Sequence, residues 1–213
     1  MVPDSRKDGM THASRNDTEE QQMVLRALRT TGLDISTLDE LVNTAQPYPD
    51  AVPILLRFLP IVRHSNAKEA IVRALAVKEA RGVAAIPLIR EFLNIPGEDM
   101  GLKWAIGNTL FVVADDSVFQ ELAELARDRS HGRSRERIVE ALGNVKTPQA
   151  IDVLLEVLHD EDVNGQAIIA LGKLRARRAI REIESFSDHP SPWLRRVARQ
   201  ASRRIKRAIA GAR

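Results

Sequence analysis

Four of the five histidines, His64, His131, His159 and His189, fall at or near helix-breaking residues. Imidazoles gathered there would suit a metal ion or proton transfer. Two acidic runs, Asp115-Asp116 and Asp160-Glu161-Asp162, bring carboxylates together. Their ordinary use at helix junctions is to accept from turn and N-cap N–H groups. A cation recurs at Lys68, Lys103, Arg135 and Arg195, and Trp104 is one of two tryptophans. No Gly-rich phosphate loop, His-Glu-x-x-His helix or Gly-x-Ser-x-Gly elbow occurs. The chain has no Cys, which excludes a thiol nucleophile, thiol redox chemistry, a Cys-ligated zinc and a disulfide framework. The expectation is no catalytic residue, no metal site and no cofactor.

Something must hold those residues in place, and the elements that do so repeat. The chain has 213 residues, enough to bury a core without staples. Five segments share an apolar helix, a polar break and a second apolar helix. The first helices begin at Pro53, Pro87, Gln120, Asp152 and Arg181, in steps of 34, 33, 32 and 29 residues. The second helices align as 70–75, 105–110, 137–143, 166–172 and 196–202. Ile151, Leu154, Leu155 and Leu158 repeat at helical spacing, as do Leu194, Val197, Ala198, Ala201, Ile205, Ala208 and Ile209. Gly82, Pro96-Gly97, Gly132, Lys146-Thr147-Pro148 and Pro190-Ser191-Pro192 separate them. Asp50, Ser117, Thr147 and Ser191 are expected N-caps. Pro87 is expected to bend its helix.

One helical hairpin leaves a face wet, so the units must stack into an all-α solenoid. The expected organisation is a disordered tail over residues 1–17 and a single solenoid over 18–213. Its parts are a capping pair (18–48) and repeats at 49–82, 83–116, 117–147, 148–176 and 177–210. The first 22 residues lack the apolar run of a signal peptide. No apolar stretch reaches the roughly 20 residues of a spanning helix. The expected location is the cytoplasm.

The run from Asp188 to Ala201, with Trp193-Leu194-Arg195, resembles the HEAT-like repeat of the phycobilisome-lyase type. Leu142-Gly143 and Leu171-Gly172 match that pattern's Leu-Gly, whereas Leu75-Ala76 and Leu110-Phe111 depart from it. The resemblance implies a right-handed α-solenoid of about five to six hairpins whose second helices line a concave groove. The pattern's Arg falls on Lys68, Lys103, Arg135, Asn164 and Arg195. Those cations have two readings: a ladder pairing with acids such as Asp128, Asp160 and Asp188, or a basic binding row. HEAT-like hydroxylases hold iron with His-Glu dipeptides, which this chain lacks. HEAT-like alkylpurine DNA glycosylases use concave tryptophans beside an acid, but one turn from Trp104 stands Asn108.

Charge is unevenly spread. The net +3 hides a residue 175–213 segment with twelve Lys and Arg against three acids, a net +9. The preceding 174 residues carry twenty against twenty-six, a net −6. Arg dominates the segment, as suits contacts with phosphate or carboxylate, though a solvated capping face would be charged too. Only eight residues are aromatic, which argues against a base-stacking surface. The expectation is a soluble, non-enzymatic scaffold binding a protein, in particular an acidic one. Lys68, Arg73, Lys103, Trp104, Arg135, Arg195, Arg199 and Arg203 are the expected contact residues. Glu136 and Asn164 are placed beside them on the groove. The alternative is a nucleic-acid backbone binder, and a third reading is a HEAT-like enzyme or lyase subunit.

Overall fold

The computed structural model describes residues 12–96 and 99–211, with helices and no strand among them. They divide into two compact units, one up to Leu75 and one from Ala76 on.

The first unit holds α1 (His12–Leu28), α2 (Asp39–Asn43), α3 (Ala51–Phe58) and α4 (Ser65–Ala74). Helix α1 begins inside the stretch expected to be a disordered tail, while residues 1–11 lie outside the described residues. Val24, Leu25, Leu28, Leu55, Leu59 and Ile71 form its core. The Glu20 carboxylate of α1 accepts from the N–H groups of Arg63 and His64, at 3.1 and 2.9 Å, as α4 begins. That supplies a cap which the α4 sequence lacks.

The second unit contains α5 (Ala85–Asn94), α6 (Met100–Val113), α7 (Phe119–Arg127), α8 (Glu136–Ala141), α9 (Gln149–Glu156), α10 (Asn164–Lys173), α11 (Ile180–Ser185) and α12 (Pro192–Ala210). Consecutive helices pair as α5–α6, α7–α8, α9–α10 and α11–α12. The second members then pack in chain order, α6 on α8, α8 on α10, α10 on α12. This is an α-solenoid. In α9 the buried side chains are Ala150, Val153 and Leu154, so its inward face is rotated from the expected one and Ile151 and Leu155 are half-buried. In α12 Leu194, Val197, Ala198, Ala201 and Ile205 are buried as the periodicity requires.

Glycines set how closely the layer packs. A Cβ on Gly143 would lie 3.0 Å from Ala170 Cα of α10, and one on Gly172 would lie 2.7 Å from Ala201 Cβ of α12. The Leu-Gly motif is therefore a docking point for the next repeat's Ala. Gly107 plays the same part against Arg137, at 3.1 Å. Trp193 of α12 packs against Gly165, where a Cβ would come within 2.0 Å of its ring, so it fills the α10–α12 seam there.

Caps fall upstream of the expected residues because short 3-10 turns precede several helices. Ser191 does cap α12. Asp99 caps α6, and Asp115 and Asp128 cap the 3-10 turns before α7 and α8. Asp50, at the N-cap of α3, makes no side-chain cap hydrogen bond. Pro87 sits in the first turn of α5, where no N–H is required and no bend is forced.

Candidate interaction surface

Each expected contact residue has a definite place, and those of the second unit do not form one exposed row. In the first unit Lys68 is half-buried and Arg73 is exposed, paired with Glu69 one turn back. In the second unit Lys103 is buried, its ammonium 5.4 Å from the Phe92 ring centroid. Asn164 is buried and Glu136 half-buried. Arg195 turns back on its own repeat and donates to the carbonyls of His189 and Pro190, at 2.8 and 2.9 Å. Arg199 and Arg203 are exposed on α12.

Arg135 corrects the groove expectation most sharply, being 0% exposed. The 3-10 turn Arg129–Arg135 passes through Gly132 at φ +49° and carries the Arg135 side chain inward. Its Nε donates to Gly132 O at 3.0 Å, Nη1 to Ala126 O at 2.9 Å and Nη2 to Asp160 Oδ2 at 2.9 Å. One side chain thus satisfies the end of α7, its own turn and an acid of the next repeat. Burial would raise the Asp160 carboxyl pKa. The Arg135 hydrogen bond, the Asp162 N–H and the charges of Arg135 and Arg129 outweigh it and hold the pKa below the ordinary value. Here the ladder reading describes the contact and the binding row does not.

Three of the histidines are likewise engaged in ring packing. His131 meets Phe92 edge-on at 5.1 Å, and His159 and His189 both stack on one ring, Phe186, at 5.6 and 5.9 Å. Burial lowers the His131 pKa against the opposing pull of Asp128, with Lys103 and Arg135 adding to the depression. Among the described residues no three His, Asp or Glu gather as a metal site.

What remains open to solvent is a stripe along α6. Met100 and Trp104, one turn apart, are 49% and 56% exposed. Asn108 and Phe111 continue it, half-buried. Beside Phe111 the neighbouring helices bring cations, Arg137 of α8 at 4.5 Å and Lys173 of α10 at 5.4 Å from the ring centroid. Arg137 is held there by Glu140 at 2.6 Å. The second-helix layer thus runs from an apolar, aromatic patch on α6 to a cationic border. The sequence singles out Trp104 as an expected contact residue from its type alone, and the structure leaves it exposed. Met100 and Phe111 lie near its face on the same helix, whereas Arg137 and Lys173 reach Phe111 only through the stacking of α6, α8 and α10.

Residues 119–203, from the start of α7 into α12, match the family model of HEAT repeats. Over those residues the chain is similar to HEAT repeats. The docking glycines Gly143 and Gly172, the buried Arg135–Asp160 pair, helices α7 to α11 and most of α12 lie within the matched stretch. The match is to HEAT repeats at large and does not extend to the phycobilisome-lyase type. No curated protein matches the chain. HEAT repeats are generally protein-interaction scaffolds. Among the described residues no helix is long and apolar enough to cross a membrane.

Proposed function

We propose that this chain is a non-enzymatic scaffold that holds a protein partner against the second-helix face of α6. The observation that carries the proposal is the pair Met100 and Trp104, two large apolar side chains about half exposed on adjacent turns. Scattered exposed hydrophobics need no explanation, but a tryptophan, the residue type most enriched in binding hot spots, stands here beside a second large apolar side chain on the adjacent turn. The cationic border at Arg137 and Lys173 favours a partner with acids around an apolar anchor. The residues that could have done chemistry have structural uses. Asp115 and Asp128 cap turns, Asp160 pairs with Arg135, and His131, His159 and His189 pack on Phe rings. The proposal includes a cytoplasmic location, which a chain without disulfides permits.

The test is Trp104→Ala, measured against the partner once it is isolated. A hot-spot Trp is worth at least about 2 kcal/mol, which is roughly a 30-fold loss of affinity. Thermal unfolding should be unchanged, because so much of the side chain is already in water. An affinity within threefold of the parent would move the site elsewhere.

A further inference from the structure

The final helix pair carries more cations than its fold uses. Lys206 bridges to Glu184 at 2.6 Å, Arg178 pairs with Asp152, and Arg177 and Arg195 donate to backbone carbonyls. Arg175, Arg196, Arg203, Arg204 and Arg207 meet no acid among the described residues, and all are exposed. Three of these, Arg175, Arg204 and Arg207, line with Lys173 a cleft of about 440 Å³ between the end of α10 and α12. Its remaining wall is Gly172 and Ala208, so neither an acid nor a large apolar side chain lines it. Like charges gathered this way repel one another and return nothing to the fold.

A second observation points at the same cleft. Helix α10 ends in a Schellman turn, with Ala176 N–H on Leu171 O at 3.0 Å and Arg175 N–H on Gly172 O at 3.3 Å. Its left-handed position is one that glycine fills at least cost, yet Arg175 occupies it at φ +54°. It is the only non-glycine residue at positive φ among the described residues. The chain keeps a guanidinium at the cleft at the expense of the turn.

From the cleft the cations continue along α12. Arg207, Arg203 and Arg196 share one side of the helix. Arg203 and Arg207 are four residues apart, or about 6 Å along the axis. We propose that this cleft and track bind the phosphodiester backbone of a nucleic acid without reading base sequence. A guanidinium presents two parallel N–H donors to a phosphate, and a row of them matches a polymer with an anion at every step. An acidic protein surface would bring an apolar interface core, and the cleft offers nothing to receive one.

Fluorescence anisotropy of labelled oligonucleotides with the full chain, from 50 to 200 mM salt, tests this. The six cations of cleft and track, engaged together on duplex DNA, give a slope of about −5.4 in log K against log salt. Arg204→Ala with Arg207→Ala should reduce that slope by about 2 and weaken binding by roughly 60-fold at 0.1 M salt. Arg175→Gly should weaken binding by about 8-fold while its thermal midpoint stays or rises, which a purely structural Arg175 would not do. Changing base composition should have no effect, and Trp104→Ala should leave the slope intact. No binding at 50 mM salt, or a slope unmoved by the double variant, would overturn the proposal. So would a poly-glutamate peptide that competes equally at matched charge, since it would assign the cleft to acidic proteins.

Discussion

Removing the Arg135 side chain should unfold this protein's repeats from the inside, not loosen a partner from the outside. Arg135→Ala leaves Asp160 buried with its closest counter-charge gone. It also strips hydrogen bonds from Gly132 O and Ala126 O. Breaking one side of a buried ion pair costs about 3–5 kcal/mol. Whole-protein stabilities run about 5–15 kcal/mol, so the loss is a large share. For a chain of this size each kcal/mol moves the thermal midpoint about 2–4 °C, which gives a drop of roughly 6–20 °C. Arg129 Nε lies 3.4 Å from Asp160 Oδ2 and should hold the loss toward the lower end. Arg135→Met with Asp160→Asn should be more stable than the sum of the single changes, because most of the penalty is the orphaned charge.

The pH dependence follows from the depressed Asp160 pKa. A carboxyl held below its unfolded value gives stability that is present above about pH 4 and is lost as pH falls through the folded value. Arg135→Met removes the cause of that depression, so the gap between parent and variant should narrow below pH 4. Circular dichroism melts from pH 7 to pH 3 measure both effects. A midpoint within 2 °C of the parent at pH 7, with partner binding lost, would refute the reasoning and return Arg135 to the surface.

Two further outcomes follow from the packing. Gly172→Ala puts a Cβ 2.7 Å from Ala201 Cβ, and overpacking of that kind costs about 1–3 kcal/mol. It should therefore destabilise in chemical denaturation although Ala is the better helix former, and a gain in stability would mean that α10 and α12 can part without loss. His131 should titrate below the usual histidine range of about 6.5, because burial opposes its charge. Stability tied to it is present above the unfolded value and is lost as pH falls through the folded one. His131→Leu should accordingly flatten the decline in thermal midpoint between pH 7 and 5, and an unchanged decline would assign it to other groups.

Much of the architecture was legible because its signals are local. An apolar period, a Pro or Gly break and a step near one hairpin's length placed every helix pair from α3 to α12. The Leu-Gly pairs were legible as a motif, but their cause was not, since Ala170 and Ala201 stand one repeat away. Lys103 and Arg135 share a register with Arg195, yet Lys103 and Arg135 are buried while Arg195 is half-exposed. For Arg135 that difference depends on a 3-10 turn, a glycine at φ +49° and an acid in the following repeat, and for Lys103 on the Phe92 ring. Counting charge located the basic segment. It could not separate Lys206, tied to Glu184, from Arg204 and Arg207, which pairing leaves free. The caps slid upstream for a similar reason, since Asp115 and Asp128 serve turns that periodicity does not reveal.

Site-specific photo-crosslinking tests the scaffold most directly. A photoreactive phenylalanine at position 104, on α6, should trap a stoichiometric protein partner in native lysate, with or without nuclease. The same group at exposed position 120, on α7 of the other helix layer, should trap none. Equal adducts from both positions, or none from 104, would contradict a partner seated on the second-helix face.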